Sequence, residues 1–227
     1  MDIKDYWNNK IIEWEDSMGN GQNLSFVERF ASYFREPVKN RSRICMDTLR
    51  PFIEGKTILE LGCGSGFFSL ALYKNSGVKN VIGFDISEKA INRAKKLCQE
   101  QGLTQYCEFH QAEAVSVTLP KADIVIGLGF LDYLAAEDIT TLFGKLKMNH
   151  FLFTFSEKVP SLFRYLHILY LLSQRCPKHF YYAKTDIRRF IGNAYTGVQF
   201  INDRRLSFAA LVHNLPVASD YTEVFTK

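Results

Sequence analysis

The residues best suited to chemistry form a glycine-rich loop, Glu60-Leu61-Gly62-Cys63-Gly64-Ser65-Gly66. A short apolar run, Thr57-Ile58-Leu59, precedes this loop, and a helical pattern that begins at Phe67 follows it. A strand, a glycine turn and a helix in this order build the crevice in which parallel α/β sheets bind nucleotides. Glycines let the backbone approach a ligand closely and adopt positive φ. The loop therefore predicts a nucleotide-like ligand, although an ordinary turn would tolerate the same glycines.

A second candidate ligand, Asp85, ends the apolar run Val81-Ile82-Gly83-Phe84. An acid at the tip of a second strand can accept hydrogen bonds from both hydroxyls of a ribose. The alternative is a role at a helix N-terminus, because Asp85 and Ser87 stand just before a helical pattern and both residue types favour caps. The two roles are compatible if Ser87 is the cap and Asp85 is the ribose ligand.

The glycine spacing distinguishes two cofactor families. A dinucleotide fingerprint is G-x-G-x-x-G, whereas here Gly66 comes one position early and Phe67 occupies the sixth position. The string E-x-G-x-G-x-G resembles the first motif of class I S-adenosylmethionine (SAM)-dependent methyltransferases. The order of strands and helices extends this resemblance over residues 52–215.

The composition is that of a globular protein. The chain has 227 residues, 47% of them apolar and 23% charged. A chain of this length can bury a full hydrophobic core without disulfides or metals. A net charge of +4 argues against a dedicated nucleic-acid-binding protein. The five cysteines contain no C-x-x-C pair, so neither a zinc site nor a disulfide framework is predicted, and a reducing cytoplasm is expected. The start does not resemble a secretory signal, and no apolar run is long enough to span a membrane.

Strands and helices alternate through most of the chain. We predict strands at 57–61, 80–84, 106–111, 122–127 and 150–155, separated by helices at 66–75, 87–101 and 136–146. After a helix at 185–193, strands at 198–201 and 206–212 are joined so tightly that they must be antiparallel. The predicted fold is α/β, with a Rossmann-like doubly wound seven-stranded sheet. This sheet is mostly parallel with one antiparallel C-terminal hairpin strand, and N-terminal and inserted lid helices are added to it.

Two regions are predicted to lie outside this core. Residues 1–52 form a helical cap in which a second helix starts at Pro37, and residues 53–227 form the methyltransferase domain. The cap either covers the crevice or is part of the hydrophobic core. It is rich in aromatic residues: Tyr6, Trp7, Trp14, Phe26, Phe30, Tyr33 and Phe34. The apolar insertion at 159–183 is interpreted as a substrate lid, a dimer contact or a membrane-surface contact, since Arg164, Arg175 and Lys178 flank its apolar stretch.

The resemblance implies a set of cofactor-binding residues. Glu60 would face the methionine end of SAM, Asp85 would hold the ribose, Ile86 would pack on the adenine, and Glu113 would accept from the adenine amino group. Backbone carbonyls near Gly127 and Leu128 would accept from the methionine ammonium. The complete predicted set is Glu60, Gly62, Cys63, Gly64, Gly66, Asp85, Ile86, Glu113, Ala114, Gly127 and Leu128. Where the family often has Gly-Asp-Ala, this chain has Ala112-Glu113-Ala114. The alternative to an adenine contact is that Glu113 is a solvated acid in a loop.

Four residues are candidates for the chemistry on the acceptor. Asp132 and Tyr133 directly follow the fourth strand, and His167 and His179 lie in the insertion. Any of them could act as a general base toward an oxygen nucleophile of high pKa. The alternative is a structural role for either histidine and a pocket wall for Tyr133. The resemblance implies no metal.

These features predict a SAM-dependent methyltransferase that acts on a small, largely apolar or aromatic metabolite or lipid-linked intermediate, most readily at oxygen. Carbon and nitrogen acceptors are the alternatives. The segment after the fourth strand lacks the Asn-Pro-Pro-aromatic string of many enzymes that methylate bases or glutamine, which favours the small-molecule branch. The rivals are a non-catalytic SAM-binding protein, an NAD-dependent oxidoreductase and an RNA methyltransferase. A monomer and a homodimer are both compatible with the sequence.

Overall fold

A seven-stranded sheet forms the centre of the protein. The computed structural model describes residues 2–19, 26–146 and 149–216, with the backbone only at 14, 17–19 and 26–36. The strands are β1 (Thr57–Leu61), β2 (Asn80–Asp85), β3 (Cys107–Gln111), β4 (Ile124–Leu128), β5 (His150–Ser156), β6 (Gln199–Ile201) and β7 (Ala209–His213). Their order in the sheet is β3-β2-β1-β4-β5-β7-β6.

Strands β1 to β5 are parallel, and β7 pairs antiparallel with both β5 and β6. The order in which successive strands are added to the sheet reverses between β1 and β4, so a crevice opens where the loops after these two strands leave in opposite directions. The predicted fold is therefore confirmed, including the antiparallel strand near the C-terminus.

Seven helices surround this sheet in the described residues. They are α1 (Ile3–Gly19), α2 (Phe26–Leu49), α3 (Phe67–Ser76), α4 (Glu88–Glu100), α5 (Ala136–Lys145), α6 (Leu162–Ser173) and α7 (Lys184–Ile191). Gly102, with φ of +68°, follows α4 as a left-handed C-terminal glycine, as predicted. No helix in the described ranges combines the length and apolar character needed to cross a bilayer.

Each face of the sheet is covered by a separate apolar layer because successive side chains of a strand point to opposite faces. One layer packs Ile58 and Ile126 against Leu49 of α2, and the other packs Leu59 and Phe153 against helical residues such as Phe143 of α5. The strands are buried on both sides, which is typical of a parallel sheet with helices on each face.

The prediction that a helix starts at Pro37 is wrong. Helix α2 begins at Phe26 and runs through Pro37 to Leu49. A proline inside a helix lacks one backbone donor, but its fixed φ is compatible with helical geometry. Burial of Ile44, Cys45 and Leu49 in the core anchors the helix downstream of that position. The predicted aromatic residues Trp14, Phe26, Phe30, Tyr33 and Phe34 have side chains outside the described residues.

Candidate functional site

The glycine loop turns sharply after β1 because three of its residues have left-handed backbone. The φ angle is +71° at Gly62, +54° at Gly64 and +74° at Gly66. Gly62, Cys63 and Gly64 line a large cavity at the carboxyl ends of the strands. Gly66 does not line it, and a Cβ at this position would lie 2.7 Å from the Phe109 ring. A Cβ would lie 3.0 Å from the Phe130 ring at Gly62 and 2.7 Å from the Glu15 carboxylate at Gly64. The first two glycines therefore let these side chains pack against the loop, and the third lets α3 start close to the sheet.

Asp85 connects the loop to the next helix. Its Oδ2 accepts the N–H of Gly64 at 2.9 Å, and its Oδ1 accepts the N–H of Ser87 at 2.8 Å. The Ser87 hydroxyl in turn accepts the N–H of Ala90 at 3.2 Å, so the predicted helix cap is confirmed. Each carboxylate oxygen has further lone-pair capacity, and Asp85 lines the cavity. The geometry fits two ribose hydroxyls, and that role stays a prediction.

Three more predicted cofactor residues surround the same part of the cavity. Ile86 follows Asp85, and Glu113 and Ala114 follow β3, and all three line the cavity. Ala114 is buried, whereas Glu113 is exposed and accepts the Ser116 hydroxyl at 2.8 Å. This hydrogen bond fixes the Glu113 carboxylate within its own turn, so the adenine contact stays a prediction.

The end of β4 is built for close packing. A Cβ at Gly127 would lie 2.8 Å from the Phe153 ring and 3.1 Å from the carbonyl oxygen of Leu61, so only glycine lets β4 lie this close to its neighbours. Leu128 lines the cavity and Gly127 does not. One residue further, the N–H of Gly129 donates to the buried Thr154 hydroxyl at 2.8 Å, which fixes the turn that leads out of the strand.

Glu60 lies beneath the loop and does not line the cavity. Its side chain is buried and hydrogen-bonded to the hydroxyl of Ser69 on α3. Burial raises the pKa of Glu60 from 4.5 to about 8, because a desolvated carboxylate is costly. At neutral pH this carboxyl group is mostly protonated.

We expect Glu60→Gln to flatten the fall of stability with rising pH. The folded protein keeps a proton on Glu60 that the unfolded chain releases between about pH 5 and 8, so the free energy of unfolding decreases through this window. Each pKa unit corresponds to about 1.4 kcal/mol. Because the protein relaxes around the buried charge, we expect the free energy of unfolding of Glu60→Gln to exceed that of wild type by only about 2 kcal/mol near pH 8. Urea unfolding over a pH series measures it. Glu108→Gln, at an exposed acid of β3, should leave the slope unchanged; equal slopes for wild type and Glu60→Gln would contradict the assignment.

Helix α1 closes the cavity from the side of the glycine loop. Glu15 accepts the N–H of Ser65 at 2.9 Å and is also hydrogen-bonded to the Ser65 hydroxyl. Arg93 of α4 lies 3.8 Å from Glu15 and 2.6 Å from Asp16. Asn8 Oδ1 lies 3.0 Å from the Ser87 hydroxyl. These polar contacts hold α1 across the loop that the sequence identifies as the cofactor site.

Asp132 also lines the cavity and is buried in the 3₁₀ turn after β4. Its Oδ1 accepts the N–H of Ser156 at 2.6 Å, and its Oδ2 accepts the Ser156 hydroxyl at 3.1 Å. Burial raises the pKa of Asp132 to about 6, and the charge of Arg41 and the Ser156 hydrogen bonds oppose this shift. The carbonyl oxygen of Asp132 accepts the N–H of Phe180 at 2.7 Å, which connects the turn to the insertion.

Asp132, Tyr133, His167 and His179 form one group of side chains, which we call the inner cluster. His179 Nε2 lies 3.8 Å from Asp132 Oδ2, and the His179 ring lies edge-on to Tyr133 and His167, with centroids 5.4 and 5.1 Å away. His167 Nδ1 is 2.7 Å from the Tyr181 hydroxyl. Burial, more than the nearby charge of Arg41, lowers the pKa of His167 to about 3 and of His179 to about 4. Both imidazoles are neutral near pH 7.

The structure thus brings together all four residues that the sequence proposed for acceptor chemistry. They face the same cavity, of about 1550 Å³, as the glycine loop and Asp85. This volume exceeds that of a typical single-ligand pocket and is large enough for two ligands. Sequence reasoning missed Glu15 and Arg41, which also line the cavity, because no local motif marks either of them.

A family model described as a methyltransferase domain matches residues 53–159. These residues contain the glycine loop, Asp85 and the end of β4. Residues 53–159 are a methyltransferase domain. The match ends at the insertion, so the insertion, α7 and the β6–β7 hairpin lie beyond the part that it covers.

Curated relatives of this methyltransferase domain match it locally. Ribosomal protein L11 methyltransferase from Klebsiella pneumoniae (strain 342) is 33% identical over 79 residues, which are 33% of this chain and 27% of that protein. An uncharacterised protein from Haemophilus influenzae (strain ATCC 51907 / DSM 11121 / KW20 / Rd) is 35% identical over 98 residues, 42% of this chain and 35% of that protein. The matched segments thus span about a third of the length of these relatives.

Solved structures share the fold of the methyltransferase domain and of its additions. Magnesium protoporphyrin IX methyltransferase from Synechocystis PCC 6803, solved with bound S-adenosylhomocysteine (SAH), has a TM-score of 0.71 at 20% identity and covers 93% of this chain and 96% of its own. Geranyl diphosphate C-methyltransferase from Streptomyces coelicolor A3(2) has a TM-score of 0.63 at 12% identity and covers 88% of this chain and 80% of its own. At these identities the similarity is one of fold.

Proposed function

We propose that the protein transfers a methyl group from SAM to an oxygen atom of a small, largely apolar or aromatic acceptor. The observation that carries this proposal is the continuity of the cavity. One end is formed by the glycine loop and Asp85, and the other by the inner cluster and the insertion. Two ligands bound at these ends would meet beside Leu128, at the carboxyl end of β4.

The residues at the loop end fit the cofactor. Asp85 would hold the ribose hydroxyls, Ile86 would pack on the adenine and Glu113 would reach its amino group. The sulfonium of bound SAM supplies an already activated methyl group. The protein therefore has to align the acceptor oxygen and exclude water, which together lower the barrier by several kcal/mol.

We propose that residues 1–52 and the insertion at 159–183 act as lids on this cavity. Trp7 of α1 contacts Tyr133 edge-on at 5.1 Å between centroids, and His167 and Tyr170 of α6 line the cavity. Aromatic walls of this kind favour an apolar or aromatic acceptor. Leu162 and Leu172 on α6 are 69% and 68% exposed, so this helix also presents an outer face on which a second copy or a membrane surface would dock. The odd cysteine count supports a reducing cytoplasm as the compartment.

Calorimetric titration with SAM, SAH and NAD tests the cofactor part of the proposal. We expect SAM and SAH to bind in the micromolar range, about −8 kcal/mol, and NAD not to bind. Incubation with methyl-labelled SAM and an apolar cell extract should then transfer label to a small extractable product. Binding of NAD alone, or binding of SAM with no labelled product from any extract, would contradict the proposed activity.

A further inference from the structure

Arg41 of α2 extends into the acceptor end of the cavity. Its Nη1 lies so close to the backbone of Gly129 that a Cβ there would be 2.1 Å away, and Oδ2 of Asp132 would be 3.6 Å from the same Cβ. Gly129 has φ of +72°. The guanidinium therefore occupies the space that a side chain at position 129 would fill, immediately after the strand end where the two proposed ligands meet.

The donors of Arg41 have no protein acceptor among the described residues. None of the hydrogen bonds or of the ion pairs within 4.0 Å that involve residues 2–19, 26–146 and 149–216 includes this guanidinium. The oxygens of Asp132, its neighbouring acid, already accept the two hydrogen bonds from Ser156. Arg41 is half-buried at the cavity wall, and a guanidinium has five N–H donors, so several of its donors face the cavity and are open to a ligand. The charge of Arg41 acts on Asp132, and an anionic ligand would in addition accept hydrogen bonds from the guanidinium.

The two histidines of the inner cluster are weak bases toward an alcohol, and its aspartate is already hydrogen-bonded. His167 and His179 are neutral, and their pKa values of about 3 and 4 make them weak proton acceptors. Asp132 is held by Ser156, and burial keeps the pKa of Tyr133 well above its usual value, so its hydroxyl stays protonated. Cys45, which also feels the charge of Arg41, is buried in the core with its thiol pKa raised. An acceptor oxygen that arrives already ionised would need none of these groups as a base.

One polar atom of the inner cluster, Nδ1 of His179, also lacks a hydrogen-bond partner among the described residues. His179 has only 6% of its side chain exposed, and its Nδ1 is buried without a hydrogen bond among the described residues. With the other ring nitrogen, Nε2, directed at Asp132, Nδ1 is the imidazole atom left for a ligand or a water. Arg41 and His179 thus place two polar groups on the walls of the same cavity, beside the aromatic side chains of Tyr133 and His167.

We infer that the acceptor is an apolar carboxylic acid, that Arg41 binds its carboxylate, and that one carboxylate oxygen is the methylated atom. This inference rests on the proposed function and defines the acceptor class more narrowly. A guanidinium presents two parallel N–H groups that match the two oxygens of a carboxylate. Arg41 is thereby a binding residue that orients the acceptor beside β4.

The reaction balances without a base. One oxygen of the carboxylate forms a bond to the methyl carbon as the bond between that carbon and sulfur breaks. The electron pair of the broken bond stays on sulfur, and the products are a methyl ester and SAH. No proton is transferred, which agrees with a cluster whose histidines are neutral and whose aspartate is held in place.

The test uses the full chain saturated with SAH and two pairs of probes. Trans-cinnamate and decanoate are an aromatic and an aliphatic apolar acid, and cinnamamide and decanamide are their uncharged counterparts. Calorimetry should show at least one acid binding at least tenfold more tightly than its amide. Arg41→Gln should abolish this preference, and Arg41→Lys should retain part of it. Arg43→Gln, at an exposed position on the same helix, is the matched control and should behave as wild type.

With methyl-labelled SAM in place of SAH, the acid that binds should acquire label that mild base releases as methanol, as expected of a methyl ester. Equal binding of acids and amides, no binding of either acid up to about 1 mM (about −4 kcal/mol), an unchanged preference in Arg41→Gln, or base-stable label would each overturn the inference. A purely structural role for Arg41 would instead lower SAH affinity, or the binding of acids and amides alike. Failure of wild-type protein to bind SAH at all would refute the proposed function, and this inference with it.

Discussion

Replacing Asp85 with alanine should weaken the binding of SAM by about a hundredfold, about 2.7 kcal/mol. Two ribose hydroxyls bonded to a charged acceptor contribute about 1.5 kcal/mol each at the lower end of the usual range. The same substitution leaves the N–H groups of Gly64 and Ser87 without their acceptor, so the loop also loses its preformed shape. Calorimetry with SAM and SAH should show the same loss for both ligands, since they share the adenosine.

Asp123→Ala is the matched control for this experiment. Asp123 precedes β4 and accepts the N–H of Thr57 at 2.8 Å, at the other end of the same strands. Its removal should lower thermal stability while leaving SAH affinity within about twofold, about 0.4 kcal/mol. If Asp85→Ala binds SAH as tightly as wild type, Asp85 is a structural acid that only connects the loop to α4.

Replacing Gly66 with alanine should lower the free energy of unfolding by about 3 kcal/mol. A left-handed conformation costs a non-glycine residue about 1–2 kcal/mol, and overpacking a core adds about 1–3 kcal/mol. At Gly66 both costs apply, because φ is +74° and the new Cβ would lie 2.7 Å from the Phe109 ring and 3.2 Å from Ala94. Chemical denaturation measures this loss.

Gly102→Ala separates the two contributions. Gly102 has φ of +68° but nothing within 4 Å of an added Cβ, so its substitution should cost only the conformational part, about 1 kcal/mol. The double variant Gly66→Ala with Phe109→Leu should recover part of the difference by making room for the methyl group. Equal losses for Gly66→Ala and Gly102→Ala would show that the loop glycine is needed for backbone conformation alone.

The elements that could be predicted from the sequence are those whose causes are local. The loop from Glu60 to Gly66 follows from glycine spacing between a strand and a helix, and Ser87 follows from the chemistry of helix caps. The antiparallel strand β7 was predictable because the link after β6 is too short for a crossover. In each case a few neighbouring residues determine the backbone path.

The rest of the candidate site depends on contacts between distant segments. Arg41 reaches Gly129 and Glu15 reaches Ser65 only because α2 and α1 dock on the sheet, and no nearby residue marks either side chain as different from an ordinary helix charge. The position of Pro37 inside α2 has the same origin, since tertiary burial of the following residues outweighs the local preference for a helix start. Asp132 and Tyr133 were proposed from their place after a strand. They lie close to His179 only because the insertion folds back onto this turn, where the N–H of Phe180 donates to the carbonyl oxygen of Asp132.

The contact between Glu15 and Ser65 has a consequence for the timing of the catalytic cycle. Because α1 covers the glycine loop through Glu15, we expect release of the spent cofactor in the proposed reaction to require this helix to lift and re-seat. We expect this motion, rather than bond making, to limit steady-state turnover, so that the first equivalent of product forms in a rapid burst before a slower linear phase. A ligand that holds α1 in place would then inhibit the enzyme without competing for either substrate.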